Sequence, residues 1–452
     1  MWGNRGSRGR RRLSAVVLTV LTVLGTGSWT TGAEPLTPST PPGIEAWQAD
    51  RARGERLPDP ATASPAEVSG FFARATAARL GRLLDRHPGT LGNLDGAPVR
   101  LRYAANRKAI RAEALRELTR AEDRSLPDRT RRRAHERAGR YGELLLPGRQ
   151  ILAFDPRGRG QLVEVYGDLT AAARTAVVVP GSDIDLMSFD RAKDPYGTPS
   201  GMAKSLHGRM AAVAPSTPTA VIAWAGYTTP SGIGVDAATG RLAEAGAPRL
   251  SRLLSGLAAT GAPAPAVFCH SYGSVVCGLT ARQAQPGTLG DLVFVAAPGT
   301  RAGSATGLGT TSRVWAATAA SDWIQHVAGL RILGLGHGAD PSDPAYGARP
   351  VPTARVTSHT GYFAPGSDAL AAFTDIALGR PPGGDVASAR LSGGDVALGR
   401  PPGGGVASAR LSGGDAVPAH PPGGDVAPAR PPGGDAAPAR PPGAGGNAPH
   451  PR

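Results

Sequence analysis

A serine at the end of a short apolar stretch is the first residue of this 452-residue chain whose setting suggests chemistry. Residues 265–275 have the sequence PAVFCHSYGSV, in which an apolar strand leads into a His-Ser-x-Gly turn and then into small residues typical of a helix. Such a turn exposes the serine Oγ above a sheet. Ser271 is therefore the candidate nucleophile, and the Tyr272 N–H is the first candidate donor to an oxyanion.

A second oxyanion donor is expected from the loop after the strand at residues 175–180. Gly181 and Ser182 occupy the position that this loop normally takes in such an architecture. The neighbouring Asp183 and Asp185 are expected to cap the loop.

A nucleophilic serine needs a base and an acid that orients the base, in the chain order serine, acid, histidine. Asp322 directly follows the strand predicted at residues 312–321, and His359 follows the last, faint strand. These two residues complete the predicted triad. The alternatives, which are less well placed, are Asp340 and Asp343 for the acid and His326 and His337 for the base.

The first position of the turn motif holds Cys269, where glycine is usual. A cysteine nucleophile is disfavoured, because the thiol lies back in an apolar strand that raises its pKa. Cys277 is the only other cysteine of the chain, and we expect two buried thiols rather than a bridge. His270 is expected to pack beside the turn without taking part in the chemistry.

Short apolar runs that alternate with helical segments predict a parallel sheet covered on both faces, an α/β architecture. Residues 149–156 and 160–169 predict an opening β-hairpin. The parallel strands are predicted at 175–181, 219–226, 265–271, 291–299, 312–321 and, faintly, 353–357.

The part of the chain before this sheet has a helical pattern. Ser64, Pro65 and Glu67 form a capping box that predicts one helix ending near His87. Further helices are predicted at 98–122 and 126–143, with their arginines on a solvated face.

Both ends of the chain differ from the middle. Residues 1–33 combine an arginine-rich start, a short apolar run and small residues ending at Ala33, the order of a secretory signal peptide exported by the general or the twin-arginine route. Cleavage is predicted after Ala33. Residues 34–63 are predicted as a linker, 64–145 as a helical region, 146–379 as the catalytic domain, and 380–452 as disordered decapeptide repeats. A secreted protein, compatible with association with the cell envelope, is expected.

The formal charge of +15 does not by itself predict nucleic-acid binding. Nearly all of it comes from arginine, and no zinc-ligand spacing or RNA-binding signature accompanies it. No metal or organic cofactor is needed for the predicted chemistry.

Several segments together resemble an uncharacterised family of bacterial α/β-hydrolase-fold proteins, many of them secreted. The similar stretches are HPGTLGNLDGAPVRLRYAANR (87–107), VVVPGS (177–182), WAGYTTP (224–230), CHSYGS (269–274), HGADPSDPAYGA (337–348) and SHTGYF (358–363). The resemblance covers about residues 85–380 and implies the α/β-hydrolase fold with Ser271, Asp322 and His359 as its triad. It implies no substrate, and the family usually has glycine at the position of Cys269.

These observations predict a secreted serine hydrolase that cleaves a carboxylic ester or related acyl bond of a small-molecule or lipid-like substrate through an acyl-enzyme. A peptidase or acyltransferase can use the same groups. The alternative is an inactive envelope protein that keeps the fold for binding.

Overall fold

The computed structural model describes residues 33–53, 55–232, 234–327 and 335–383. Except for Ala33, the predicted signal peptide lies outside the described residues. So do the predicted repeats beyond Gly383. All the described residues belong to one of the two compact units into which the chain divides, residues 1–394.

The described residues form one eight-stranded sheet in the order β1-β2-β4-β3-β5-β6-β7-β8. The strands are β1 (Ile151–Asp155), β2 (Gln161–Gly167), β3 (Arg174–Val179), β4 (Thr219–Ala225), β5 (Ala266–His270), β6 (Asp291–Val295), β7 (Arg313–Ala317) and β8 (Arg349–Pro350). β1 and β2 pair antiparallel, as do β2 and β4, whereas the remaining neighbours are parallel. The predicted α/β architecture with an opening hairpin is confirmed.

The last strand differs from its prediction. β8 pairs with β7 at Arg349 and Pro350, whereas residues 353–357 form a turn in which the Val356 N–H donates to the Thr353 carbonyl. The prediction near 353–357 is therefore wrong, because Pro350 and Pro352 restrict further pairing along this edge.

Helices precede the sheet and cover both of its faces. They are α1 (Ile44–Ala52), α2 (Pro65–Ala73), α3 (Ala77–Arg86), α4 (Pro88–Gly92), α5 (Val99–Glu122), α6 (Asp128–Leu144), α7 (Pro199–Val213), α8 (Val235–Ala238), α9 (Arg241–Ala259), α10 (Gly273–Ala281) and α11 (Asp368–Ala377). Apolar residues of α7 and α11 share one core with the sheet, and those of α9 and α10 share a second core on the opposite face. No helix of the described residues combines the length and apolar character required to cross a bilayer.

The N-terminal helices enclose a third, smaller core that includes Trp47, Phe72 and Leu91. The capping box at Ser64 is confirmed. The single helix predicted from Ser64 is instead two helices, because the Thr76 hydroxyl accepts the Arg79 N–H and begins α3. α1 lies inside the segment predicted as a linker, and its Trp47 side chain is fully buried.

Two arginines of the helical region depart from the expected solvated face. Arg102 of α5 is buried and pairs with Asp95. Arg140 of α6 is also buried and pairs with Glu143 and Asp190. These arginines attach the helices to loops of the same unit, since a buried guanidinium requires a paired acceptor.

Candidate active site

Ser271 lies on the sharp turn between β5 and α10. Its backbone has a φ of 52°, in the left-handed region that a residue with a side chain rarely adopts. The turn is held from below by a hydrogen bond of 2.9 Å from the Ser271 N–H to the Val295 carbonyl of β6. Glycine is required two residues later, because a Cβ at Gly273 would lie 2.7 Å from the carbonyl oxygens of Val179 and Pro180.

The structure brings the three predicted triad residues together. The His359 Nε2 lies 3.0 Å from the Ser271 Oγ, and the His359 Nδ1 lies 3.0 Å from each carboxylate oxygen of Asp322. The Asp322 side chain is fully buried, whereas that of His359 is about one-fifth exposed. This geometry allows His359 to take the serine proton while Asp322 fixes the Nδ1–H tautomer.

Asp322 is kept ionised by its hydrogen bonds. Burial by itself raises the pKa of the carboxyl. Hydrogen bonds from His359, the Ile324 N–H and the Tyr362 hydroxyl together lower the pKa by more than burial raises it, so the pKa lies below its usual value. The Tyr362 hydroxyl donates to Oδ2 over 2.8 Å and accepts the Ala319 N–H over 2.9 Å. The acid therefore has a fixed position and a fixed charge.

His270 supports the base from the other side of the nucleophile. Its Nε2 lies 2.8 Å from the His359 carbonyl oxygen, and the two rings are 4.9 Å apart between centroids. Burial, followed by the neighbouring His359, lowers the pKa of His270 from 6.5 to about 4. His270 is thus neutral at neutral pH and donates to the backbone of the base. His270 thus packs beside the turn as expected and also bonds to the backbone of His359, because alternation along β5 places its ring on the His359 side.

Gly181 approaches the nucleophile closely, as the predicted oxyanion loop requires. A Cβ at Gly181 would lie 2.6 Å from the Ser271 Cβ. The Tyr227 hydroxyl holds this loop by donating to the Pro180 carbonyl over 2.8 Å. Among the described residues, neither the Tyr272 N–H nor the Ser182 N–H donates to another protein group.

Cys269 and Cys277 form a disulfide between β5 and α10. The expectation of two buried thiols is therefore wrong. Alternation along β5 turns Cys269 toward the core beneath α10, and the tight turn at Ser271 brings the helix back over the strand, so the sulfurs meet. The disulfide also removes the alternative of a cysteine nucleophile, since neither sulfur is a free thiol.

The alternative acids and bases do not contact Ser271 or His359. Asp340 and Asp343 accept the N–H groups of Ser342 and Ala345 at turns. The Nε2 of His337 lies 2.7 Å from the Ala237 carbonyl oxygen, and His326 is exposed at the end of a short 3-10 helix.

The two aspartates of the oxyanion loop hold its backbone. Asp183 accepts the Gly232 N–H, and Asp185 accepts the N–H groups of Met187 and Ser188. Both therefore cap the loop, as predicted. Within the described residues, no three His, Cys, Asp or Glu side chains form a group that could hold a metal ion.

A groove of about 470 Å³ lies elsewhere, between residues 39–42, β2 and α9. None of the triad residues lines it. Arg102 and Asp155 in this groove are paired with Asp95 and Arg157, and Arg249 donates to Gln161 and to the Thr37 and Pro38 carbonyls. The groove therefore has no evident part in the chemistry at Ser271.

Three residues that support the site were not predicted as functional: His270, Tyr227 and Tyr362. Each acts through a hydrogen bond to a residue distant in the chain, from 40 to 89 positions away. Only the position of His270 beside Ser271 offered a local signal.

The chain carries an α/β-hydrolase domain. Residues 155–332 match the model of the family described as alpha/beta hydrolase. That stretch includes Ser271 and Asp322, and the structure adds His359 from beyond it. The sheet order and the turn at Ser271 agree with this assignment.

The chain is also similar to two proteins, each described as uncharacterized, from two strains of Mycobacterium tuberculosis. Each is 30% identical over 387 residues, which cover 72% of this chain and 57% of the relative. The chain thus spans a little more than half the length of these relatives. No solved structure matches the chain significantly.

Proposed function

We propose that this protein is a serine hydrolase that cleaves a carboxylic ester or a related acyl bond through an acyl-enzyme. The observation that supports this proposal most strongly is the continuous chain of hydrogen bonds from Ser271 through His359 to Asp322. His359 takes the serine proton as Oγ attacks the acyl carbon, and later gives it to the leaving group. The imidazolium formed in between is stabilised by the Asp322 carboxylate.

We assign the stabilisation of the negative charge that develops on the acyl oxygen to two backbone N–H groups. The Tyr272 N–H lies at the start of α10, and the second donor comes from the loop at Gly181 and Ser182. Donors that are already oriented need no reorganisation during the reaction, which is why such groups lower the barrier. The same arrangement argues against the alternative of an inactive binding protein, because a site used only for binding does not need this proton path.

The acyl group is proposed to be apolar. Trp323 is 44% exposed and its ring lies 5.0 Å from that of His359. An exposed aromatic ring beside the base of the triad favours a substrate that covers it with its own apolar surface. This supports a small-molecule or lipid-like acyl substrate.

Export is proposed on two grounds. The first is the leader sequence of residues 1–33. The second is the disulfide between Cys269 and Cys277, since disulfides persist mainly in oxidising compartments. The protein is therefore proposed to act outside the cytoplasm, in the cell envelope or beyond it.

The test is labelling with a fluorophosphonate probe, with the adduct mapped by peptide mass spectrometry. We expect an adduct on Ser271 that is lost in Ser271→Ala and His359→Ala. The matched control is His326→Ala, which removes a nearby exposed histidine and is expected to label normally. Absence of an adduct on folded wild-type protein would refute the proposal. An equal loss in the control would also refute the assignment of His359 as the base.

The substrate class is tested separately with p-nitrophenyl esters of increasing acyl length. We expect kcat/KM to rise from acetate to medium-length chains, and Trp323→Ala to reduce this rise without abolishing acetate hydrolysis. A chain-length profile that is flat in the wild type contradicts the apolar acyl assignment while leaving the nucleophile assignment intact.

A further inference from the structure

The N–H, the carbonyl and the carboxylate of Glu34 are each bound by other residues of the protein. Its N–H donates to the Asp236 Oδ2 over 2.7 Å, and its carbonyl accepts from the Arg241 guanidinium over 2.7 Å. Its side-chain carboxylate accepts from the Ser231 hydroxyl over 2.7 Å and lies 3.7 Å from the Arg159 guanidinium. Glu34 is thus bound in a polar site formed by Asp236 of α8, Arg241 of α9 and the loop residues Ser231 and Arg159.

The leader sequence predicts cleavage of the peptide bond between Ala33 and Glu34. Hydrolysis by a leader peptidase adds water across this bond, so that Ala33 keeps the new carboxylate and Glu34 keeps the amine, which takes up a proton at neutral pH. We propose that the polar site around Asp236 is a docking site for this new N-terminus, in which the Glu34 α-ammonium forms an ion pair with the Asp236 carboxylate.

The Asp236 side chain suits this role. It is 12% exposed, so its attraction for a cation is screened less than at the open surface. Arg241, whose guanidinium lies 2.8 Å from the Asp236 carboxylate, repels an ammonium group at this site, whereas the Glu34 carboxylate attracts the ammonium. Arg159 lies further out, where Asp185 shares its charge. An α-ammonium has three donors where the peptide group has one, so the bond to Asp236 gains charge without losing geometry.

The docking site is connected to the proposed oxyanion donor. α8 and the residue after it carry Asp236, Ala237 and Thr239. The Ala237 carbonyl is bonded by His337, and the Thr239 carbonyl accepts the Tyr272 hydroxyl over 2.9 Å. A fixed N-terminus at Asp236 therefore steadies the segment that holds the Tyr272 side chain. Leader removal is then a maturation step that completes the structure beside the nucleophile.

The test compares two proteins that differ by one residue, made by scarless cleavage of a fusion. One begins at Glu34 and the other at Ala33, and both continue to Arg452. Each is also made with Asp236→Asn. The readout is the rate at which formaldehyde and cyanoborohydride methylate the α-amine at pH 7.5, followed by mass spectrometry. We expect the Glu34 amine to react about sixfold more slowly than the Ala33 amine, because an ion pair raises the amine pKa and leaves less of the amine unprotonated at this pH.

Asp236→Asn is expected to remove this difference. Asp128→Asn is the matched control, because Asp128 is an exposed acid paired with Arg131 on α6, and the difference should persist. A second readout is the melting temperature, which we expect to be about 1–2 °C higher for the Glu34 protein at pH 6.5, with the gap closing above pH 9.

Two results overturn the docking site: equal methylation rates for the Glu34 and Ala33 proteins, or a difference that survives Asp236→Asn. A secreted protein whose N-terminus is not Glu34 overturns the maturation step. None of these readouts depends on the reactivity of Ser271, so they fail or succeed separately from the proposed hydrolase activity.

Discussion

Reducing the bond between Cys269 and Cys277 is expected to lower the free energy of unfolding by about 2.5 kcal/mol. The disulfide joins residues eight positions apart, and the loop that it closes contains Ser271. In the chain-entropy account a closed loop of this length removes about 8 cal/mol/K from the unfolded state, which is about 2.5 kcal/mol at 25 °C. The effect is on the unfolded chain, so it does not require contacts to change in the folded protein.

The corresponding shift in melting temperature is small because the folded unit is large. For the roughly 340 residues that the structure describes, the entropy of unfolding is about 0.7 kcal/mol/K, and 2.5 kcal/mol then corresponds to about 3–4 °C. Chemical denaturation is the better measurement. The sulfurs are fully buried, so a reductant is expected to reach them only after unfolding.

The assay is urea unfolding with and without a phosphine reductant, on protein unfolded and refolded under each condition. Wild-type protein has the same side chains in both cases, so the difference isolates the covalent bond. Cys269→Ala/Cys277→Ala is the control, and its unfolding should not respond to the reductant. Iodoacetamide labelling of both cysteines in unreduced, denatured wild-type protein would show that the bond is absent, and an unfolding midpoint that is unchanged by reduction would refute the magnitude.

Three further predictions concern the site. Gly181→Ala is expected to lower kcat/KM at least a hundredfold, because the added Cβ would lie 2.6 Å from the Ser271 Cβ. The control is Gly142→Ala on α6, whose Cβ would meet nothing within 4 Å and should leave activity unchanged. Equal activities of the two variants contradict the close approach of Gly181 to Ser271. Tyr362→Phe removes the hydroxyl donor to Asp322 and is expected to lower kcat/KM about tenfold, and an unchanged value means that this bond does not support the acid. Because the pKa of His270 falls from 6.5 to about 4 on folding, the unfolded chain takes up this proton first as the pH falls, so the contribution of His270 to stability should fall by about 3 kcal/mol between pH 6.5 and pH 4. In pH-dependent urea unfolding, stability should therefore fall less in His270→Gln than in the wild type, by about that amount, and parallel curves contradict the burial of a neutral His270.

The strands and the turn at Ser271 could be predicted from the sequence because their signals are local. A buried parallel strand is a short apolar run, and the turn needs glycine at 273 within two residues of the serine. The order of Ser271, Asp322 and His359 then followed from where the strands end. The weak prediction was the last strand, since two residues of β8 leave almost no periodic signal.

The tertiary structure decided which groups meet across the molecule. Whether Cys269 and Cys277 form a bond depends on the angle at which α10 returns over β5, and the apolar pattern of both elements is the same for thiols and for a disulfide. Tyr362 reaches Asp322, and Glu34 reaches Asp236, over 40 and 202 positions of the chain. The sequence by itself determined the elements and the nucleophile, because propensity and patterning act over a few residues. The partners that hold the acid, the base and the N-terminal segment were set by the packing of distant segments, which no local pattern encodes.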